Sequence, residues 1–154
     1  MVVTEGEQSG TQRAPAVGIA DVPIGKRTSF SKTVSESDVY LFAGITGDLD
    51  PNHVDEEYCR QTSLGHRVAH GALIVGYMSA TSTRILEDFE RPMVSLGYDR
   101  IRFIKPVYFG DTLTISYEIT SVVPEKERTV GAIEVTNQRG DTVAVATHIM
   151  QLIT

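Results

Sequence analysis

The run GALIVGYMSATSTRIL, residues 71–86, carries no charge before Arg84 and presents no polar face. A helix of that kind must be buried on nearly all sides. It is too short and too rich in hydroxyls to cross a membrane, so a central helix enclosed by protein is expected. The enclosing element is legible downstream. Residues 112–120, TLTISYEIT, alternate apolar and polar side chains, the mark of a half-buried strand. Residues 95–104, 128–137 and 142–153 read as further strands with less regular alternation. Gln138-Arg139-Gly140-Asp141 is turn chemistry that joins the last two as a hairpin, and Pro106 and Gly110-Asp111 punctuate the first pair. Connections this short imply antiparallel pairing. The expected fold class is α+β: one long helix wrapped by a curved antiparallel sheet.

Upstream, a short strand is expected over residues 26–34. Ser35-Glu36-Ser37-Asp38 then has the composition of a helix start, with a serine to cap the first turn and acids at the positive end of the dipole. Val39, Leu41, Phe42 and Ile45 give that helix an apolar face, and Gly47 should stop it. Residues 1–22 lack periodicity and are read, at least in part, as a mobile arm, leaving 23–154 as one domain.

The totals narrow the possible functions. A chain of 154 residues with 41% hydrophobic and 22% charged residues is long enough for a single domain with a real core. A formal charge of −6 argues against nucleic acid, whose phosphates require a basic surface. The lone cysteine, Cys59, can form neither an intrachain disulfide nor a thiolate zinc cluster. The N-terminal residues show neither a basic n-region nor an apolar h-region, and no stretch reaches the length of a membrane span. A cytoplasmic location with no membrane partner is the default expectation.

Between the two helices, residues 47–69 form a polar segment dense in Asp, Asn and His, long enough inside a compact domain to suggest function. Asp48 and His53 lie five apart, with Pro51 stiffening the turn between them, so both can face one cleft. Gly71 opens the buried helix, where free amides and the helix dipole favour negative charge and no side chain blocks approach. A carboxylate, an imidazole and an oxyanion donor are what addition of water to an α,β-unsaturated thioester requires. Water must lose a proton as it attacks the β-carbon, a proton must reach the α-carbon, and the thioester oxygen must be held as it gains charge.

The stretch GDLDPNHVDEEYCRQTSLGHRVAHGAL, residues 47–73, resembles the signature of MaoC-like (R)-specific enoyl-CoA hydratases, G-D-x-N-P-x-H followed after a fixed spacer by a-H-G-m-L. Residues 103–113, FIKPVYFGDTL, are similar to that family's F-x-x-P-V-x-x-G-D-T-L element. The resemblance implies a hot dog fold, Asp48 and His53 as the catalytic pair, Gly71 as the oxyanion-hole amide and Ser79 as a hydroxyl lining the substrate site. It implies an acyl-CoA substrate, no cofactor beyond the coenzyme A that substrate carries, and a homodimer or dimer of dimers. Asp50 departs from the pattern, standing where an asparagine is usual, and two buried carboxylates so close would raise one another's pKa.

The same residues also fit parts of other patterns. Asp48-x-Asp50-x-Asn52 has the opening of a calcium loop, but His53 takes the place of its glycine and Cys59 that of its bidentate glutamate. His53, Asp55 and His70 do not have the spacing of a zinc motif, so no metal is expected. His70 is read as a structural residue orienting the loop before the helix, and His66 and His148 have no assignable chemistry. Thioesterases of the hot dog fold place an acid on the central helix to activate water, and residues 71–84 contain none. A non-catalytic acyl-CoA-binding protein would not need Asp48 and His53 together.

Overall fold

The computed structural model describes residues 18–87, 89 and 91–153. Strand β1 (Arg27–Thr33) leads into helix α1 (Glu36–Thr46), and two short helices, α2 (Pro51–Val54) and α3 (Glu56–Arg60), punctuate the polar segment. The long helix α4 (Gly71–Ile85) follows, and then strands β2 (Met93–Phe103), β3 (Thr112–Val123), β4 (Arg128–Thr136) and β5 (Thr142–Leu152). The five strands form one antiparallel sheet in the order β1-β3-β4-β5-β2.

Local chemistry sets the element ends where the sequence predicts. The Ser35 hydroxyl accepts from the Asp38 amide at 3.1 Å, and the Asp38 carboxylate accepts from the Ser35 amide at 2.8 Å, a reciprocal capping box. Gly47 ends α1 in the left-handed conformation, φ +78°. The turn between β4 and β5 is held by Asn137, whose Oδ1 accepts from the amides of Arg139 (2.9 Å) and Asp141 (3.0 Å).

Four expectations are corrected. First, β2 and β3 are not neighbours: β2 pairs with β5 at one edge, and β3 lies beside β1 near the other. The connection between them crosses the end of the sheet instead of turning back. It is anchored in succession by Ile104 N to Val143 O (2.8 Å), Ala69 N to Val107 O (2.8 Å) and Gly110 N to Val34 O (2.8 Å). Second, α4 is covered on one side only. Ile74, Tyr77, Met78, Thr81 and Ile85 are buried, a stripe at helical spacing that packs on the apolar face of the sheet. Ala72, Gly76, Ser79, Ala80 and Thr83 are exposed on the opposite side. Third, the apolar face of α1 is split: Val39 is buried, whereas Leu41 and Ile45 face out. Fourth, Ile19 and Val22, placed within the arm, are buried in the core cluster after a short 3₁₀ turn (Ile19–Asp21). Residues 1–17 of that arm lie outside the described residues.

The core between α4 and the sheet is packed tightly at one backbone position. A Cβ at Gly131, on β4, would run into the ring of Tyr117 on β3, and Tyr117 is fully buried. Gly131→Ala is therefore expected to destabilise the domain by about 1–3 kcal/mol, the usual scale of overpacking. A urea midpoint unchanged from the parent protein would refute this.

Candidate active site

The polar segment between α1 and α4 is folded back on itself by its own side chains. Asp50 caps α2, its Oδ1 accepting from the Asn52 amide at 2.9 Å, and Pro51 occupies the first helical position, where no amide is needed. Asparagine makes the same cap, so the departure at Asp50 leaves this turn intact. Both Asp50 and Asp48 are exposed. Placed in the α2 turn, His53 brings its Nδ1 to 2.7 Å from the carbonyl oxygen of Val68. A carbonyl can only accept, so this partner assigns the proton to Nδ1 and leaves a lone pair on Nε2.

His70, the residue before α4, is buried and brings Nε2 to 3.0 Å from the backbone carbonyl oxygen of Asp48. Its ring packs against that of His53, tilted by 31° with centroids 3.7 Å apart, and against Phe42 of α1 at 4.9 Å. His70 thus orients the loop, as its position before the helix suggests. Asp48, His53 and His70 each offer a ligand-type atom within 4.8 Å of the others, a grouping that sequence spacing does not announce. The His70 nitrogen that approaches the Asp48 carboxylate, at 4.0 Å, is the one already donated to the Asp48 carbonyl. A cation bound there through that nitrogen would have to displace the bond that holds the loop.

Gly71 is the first residue of α4, so its amide belongs to the turn whose N–H groups have no intrahelical acceptor. The ring of Phe103, from the end of β2, lies directly over it; a Cβ at position 71 would sit 2.6 Å from the ring edge. A larger residue here would push the half-exposed Phe103 ring aside. Gly71 and Phe103, with Val68, Ile74 and Val143, line a cleft of about 140 Å³ beside the helix start. Asp48, His53 and Gly71 are thereby gathered at one end of α4, whereas Ser79 is not. It stands eight residues further on, about 12 Å along the helix axis at 1.5 Å per residue, on the exposed face.

Ser79 instead adjoins a second polar group that the sequence does not reveal. His148 on β5 is fully buried. Its Nδ1 lies 3.2 Å from the Tyr117 hydroxyl and its Nε2 2.8 Å from the Ser95 hydroxyl, while Tyr98 stacks on the ring at 4.3 Å. Burial pushes the His148 pKa down to about 4 and pushes both tyrosines up. The Tyr98 hydroxyl lies close enough to Ser79 to be biased downward by it, but outside hydrogen-bond geometry. Cys59 is buried, donates to the Asn52 carbonyl at 3.4 Å and has its pKa raised by desolvation, the environment of an inert thiol.

Known proteins resemble this chain in sequence and in fold. An (R)-specific enoyl-CoA hydratase of Rhodospirillum rubrum is 41% identical over 108 residues, covering 70% of this chain and 72% of that protein. A 3-hydroxybutyryl-CoA dehydratase of Methylorubrum extorquens is 34% identical over 109 residues, covering 70% and 67%. Among solved structures, the unliganded R-hydratase of Pseudomonas aeruginosa superposes with a TM-score of 0.75 at 30% identity, over 89% of this chain and 86% of that one. The family profile described as MaoC like domain matches residues 21–141, and the chain belongs to that family.

Proposed function

We propose that the protein is an (R)-specific enoyl-CoA hydratase, a hydro-lyase that adds water reversibly to trans-2-enoyl-CoA to give (R)-3-hydroxyacyl-CoA. The observation that carries this reading is the placement of two proton acceptors at the amide end of α4: the Nε2 lone pair of His53 and the half-exposed Asp48 carboxylate, whose Oδ1 takes only a long 3.4 Å bond from the Asp50 amide. The names of the relatives in R. rubrum and M. extorquens support the same chemistry.

In this mechanism a water donates one hydrogen to Asp48 and the other to His53 Nε2. With its proton committed to Val68 on the Nδ1 side, neutral His53 must receive a proton before it can give one. Asp48 serves as the base while the oxygen attacks the β-carbon; an O–H bond breaks and a C–O bond forms. The π electrons move onto the thioester, whose oxygen is held by the Gly71 amide. The proton taken from water passes through the pair, with His53 as the relay, and forms the C–H bond at the α-carbon on the same face. Asp48 and His53 then return to their starting states, and dehydration runs the sequence backwards.

The small-residue face of α4 left open by the sheet, with Arg84 as its exposed charge, supports a homodimer, as does the outer edge of β2, unpaired among the described residues. Light scattering on purified protein should give at least twice the chain mass of 16.9 kDa; a monomer at micromolar concentration would overturn that part. Ser79, on the open face, is then placed where a second subunit can complete its surroundings. For the reaction, crotonyl-CoA should lose its conjugated-thioester absorbance without release of free thiol, and the product should be the (R)-alcohol. Thiol release in place of hydration would mark a thioesterase and sink the proposal. Among the described residues, no helix is long and apolar enough to cross a membrane.

A further inference from the structure

We infer that Glu56, the first residue of α3, is a positioning residue that sets the tautomer of His53. Its carboxylate is the anchor of the segment running from His66 to His70. Oε1 lies 2.8 Å from His66 Nδ1, and Oε2 accepts from the backbone amide of Arg67 at 3.1 Å. The Arg67 Nε lies 3.4 Å from the same oxygen, an ion-pair contact without aligned hydrogen-bond geometry. These partners, His66 foremost, hold the Glu56 carboxyl below its ordinary range. Glu56 is itself fixed by the α3 cap, where the Asp55 carboxylate accepts from the Tyr58 amide at 2.9 Å.

The next residue in this segment is the one that matters to His53. The Val68 amide donates to the Asn52 carbonyl at 3.0 Å, and the Val68 carbonyl accepts from His53 Nδ1 at 2.7 Å. Val68 is also bridged to Tyr108, and beyond it the Ala69 amide donates to the Val107 carbonyl at 2.8 Å, so the clamp on residues 66 and 67 supplies the near-side restraint on the Val68 carbonyl. Arg67 ties the same point to α1 through Glu36 (2.8 Å) and the Tyr40 hydroxyl (2.8 Å). Without a carbonyl opposite Nδ1, neutral His53 populates both tautomers. The tautomer protonated on Nε2 presents a donor where the attacking water needs an acceptor.

Glu56 makes mostly exposed ion pairs, which add little to stability. Its effect is instead one of alignment, so rate and stability should separate. In Glu56→Ala, crotonyl-CoA turnover should fall by about 10- to 100-fold, the scale of a small misplacement of a reacting group. KM and the urea midpoint should barely change. Glu56→Gln, which can still accept from the Arg67 amide, should retain most of the activity. Imidazole ¹⁵N spectra supply a readout that a merely structural residue would not move. The parent protein should show His53 protonated on Nδ1 alone, and Glu56→Ala should show an averaged pair of nitrogens. Glu56→Asp, one methylene shorter, should give the same averaging; it carries the decision if the alanine variant fails to fold. Parent-like His53 resonances in the folded Ala or Asp variant would overturn the inference. The turnover arm rests on the hydratase reading; the spectra do not, so an active His53→Ala protein would sink that reading while leaving the tautomer result to judge Glu56.

Discussion

Asp48→Asn and His53→Gln are each expected to lower crotonyl-CoA hydration by about 10²–10⁴, the range for a positioned acid–base group. The asparagine keeps the shape of Asp48 and its carbonyl bond to His70 but removes the proton acceptor. The glutamine removes the Nε2 lone pair and the relay. Because the two act on one water, the double variant should be only slightly worse than the more damaging single one. Both singles should keep the parent urea midpoint closely, as Asp48 is exposed and His53 only partly buried. Near-normal turnover in either would remove that residue from the mechanism.

A second large effect concerns acid stability and falls on His148, remote from the chemistry. Burial holds its pKa near 4 against an ordinary value of 6.5. The unfolded chain therefore binds this proton more tightly than the folded one. Stability is complete above pH 6.5 and is lost as the pH falls towards 4, by on the order of 3 kcal/mol in all. Urea midpoints measured at pH 7.5 and 4.5 should differ accordingly in the parent protein, and much less in His148→Gln. Asp141, held low first by its hydrogen bond from Lys105, contributes at the acid end, below the ordinary carboxylate range. An equal acid slope in the glutamine variant would show that His148 is not the titrating group.

Much of this structure was legible in the sequence where local chemistry decides the outcome. The alternation over residues 112–120 became β3, the Ser35 cap began α1, Gly47 ended it, and the turn at 138–141 joined β4 to β5. The motif likewise picked out Asp48, His53 and Gly71, which the fold gathers at one helix end. Contacts between distant residues were not legible. Nothing in the sequence pairs His53 with a carbonyl fifteen residues away, places Phe103 over Gly71, or buries His148 beneath Tyr98. The α4 reading went astray for a related reason: an uncharged helix signals burial, and a single sheet covers only one of its sides.

The pairing of β1 with β3 has a kinetic consequence. Its innermost partners, Thr33 and Thr112, bracket residues 34–111, which contain all four helices α1–α4, strand β2, and Asp48, His53, His70, Gly71 and Phe103 of the site. The apparatus is thus a loop closed by contacts distant in sequence, and such closures set slow folding rates although their entropic cost grows only slowly with length. Regained activity in a refolding experiment should lag behind helix formation and coincide with closure of this strand pair. The site therefore cannot be cut out and grafted as a short segment: its geometry exists only once the two ends of the domain have found each other.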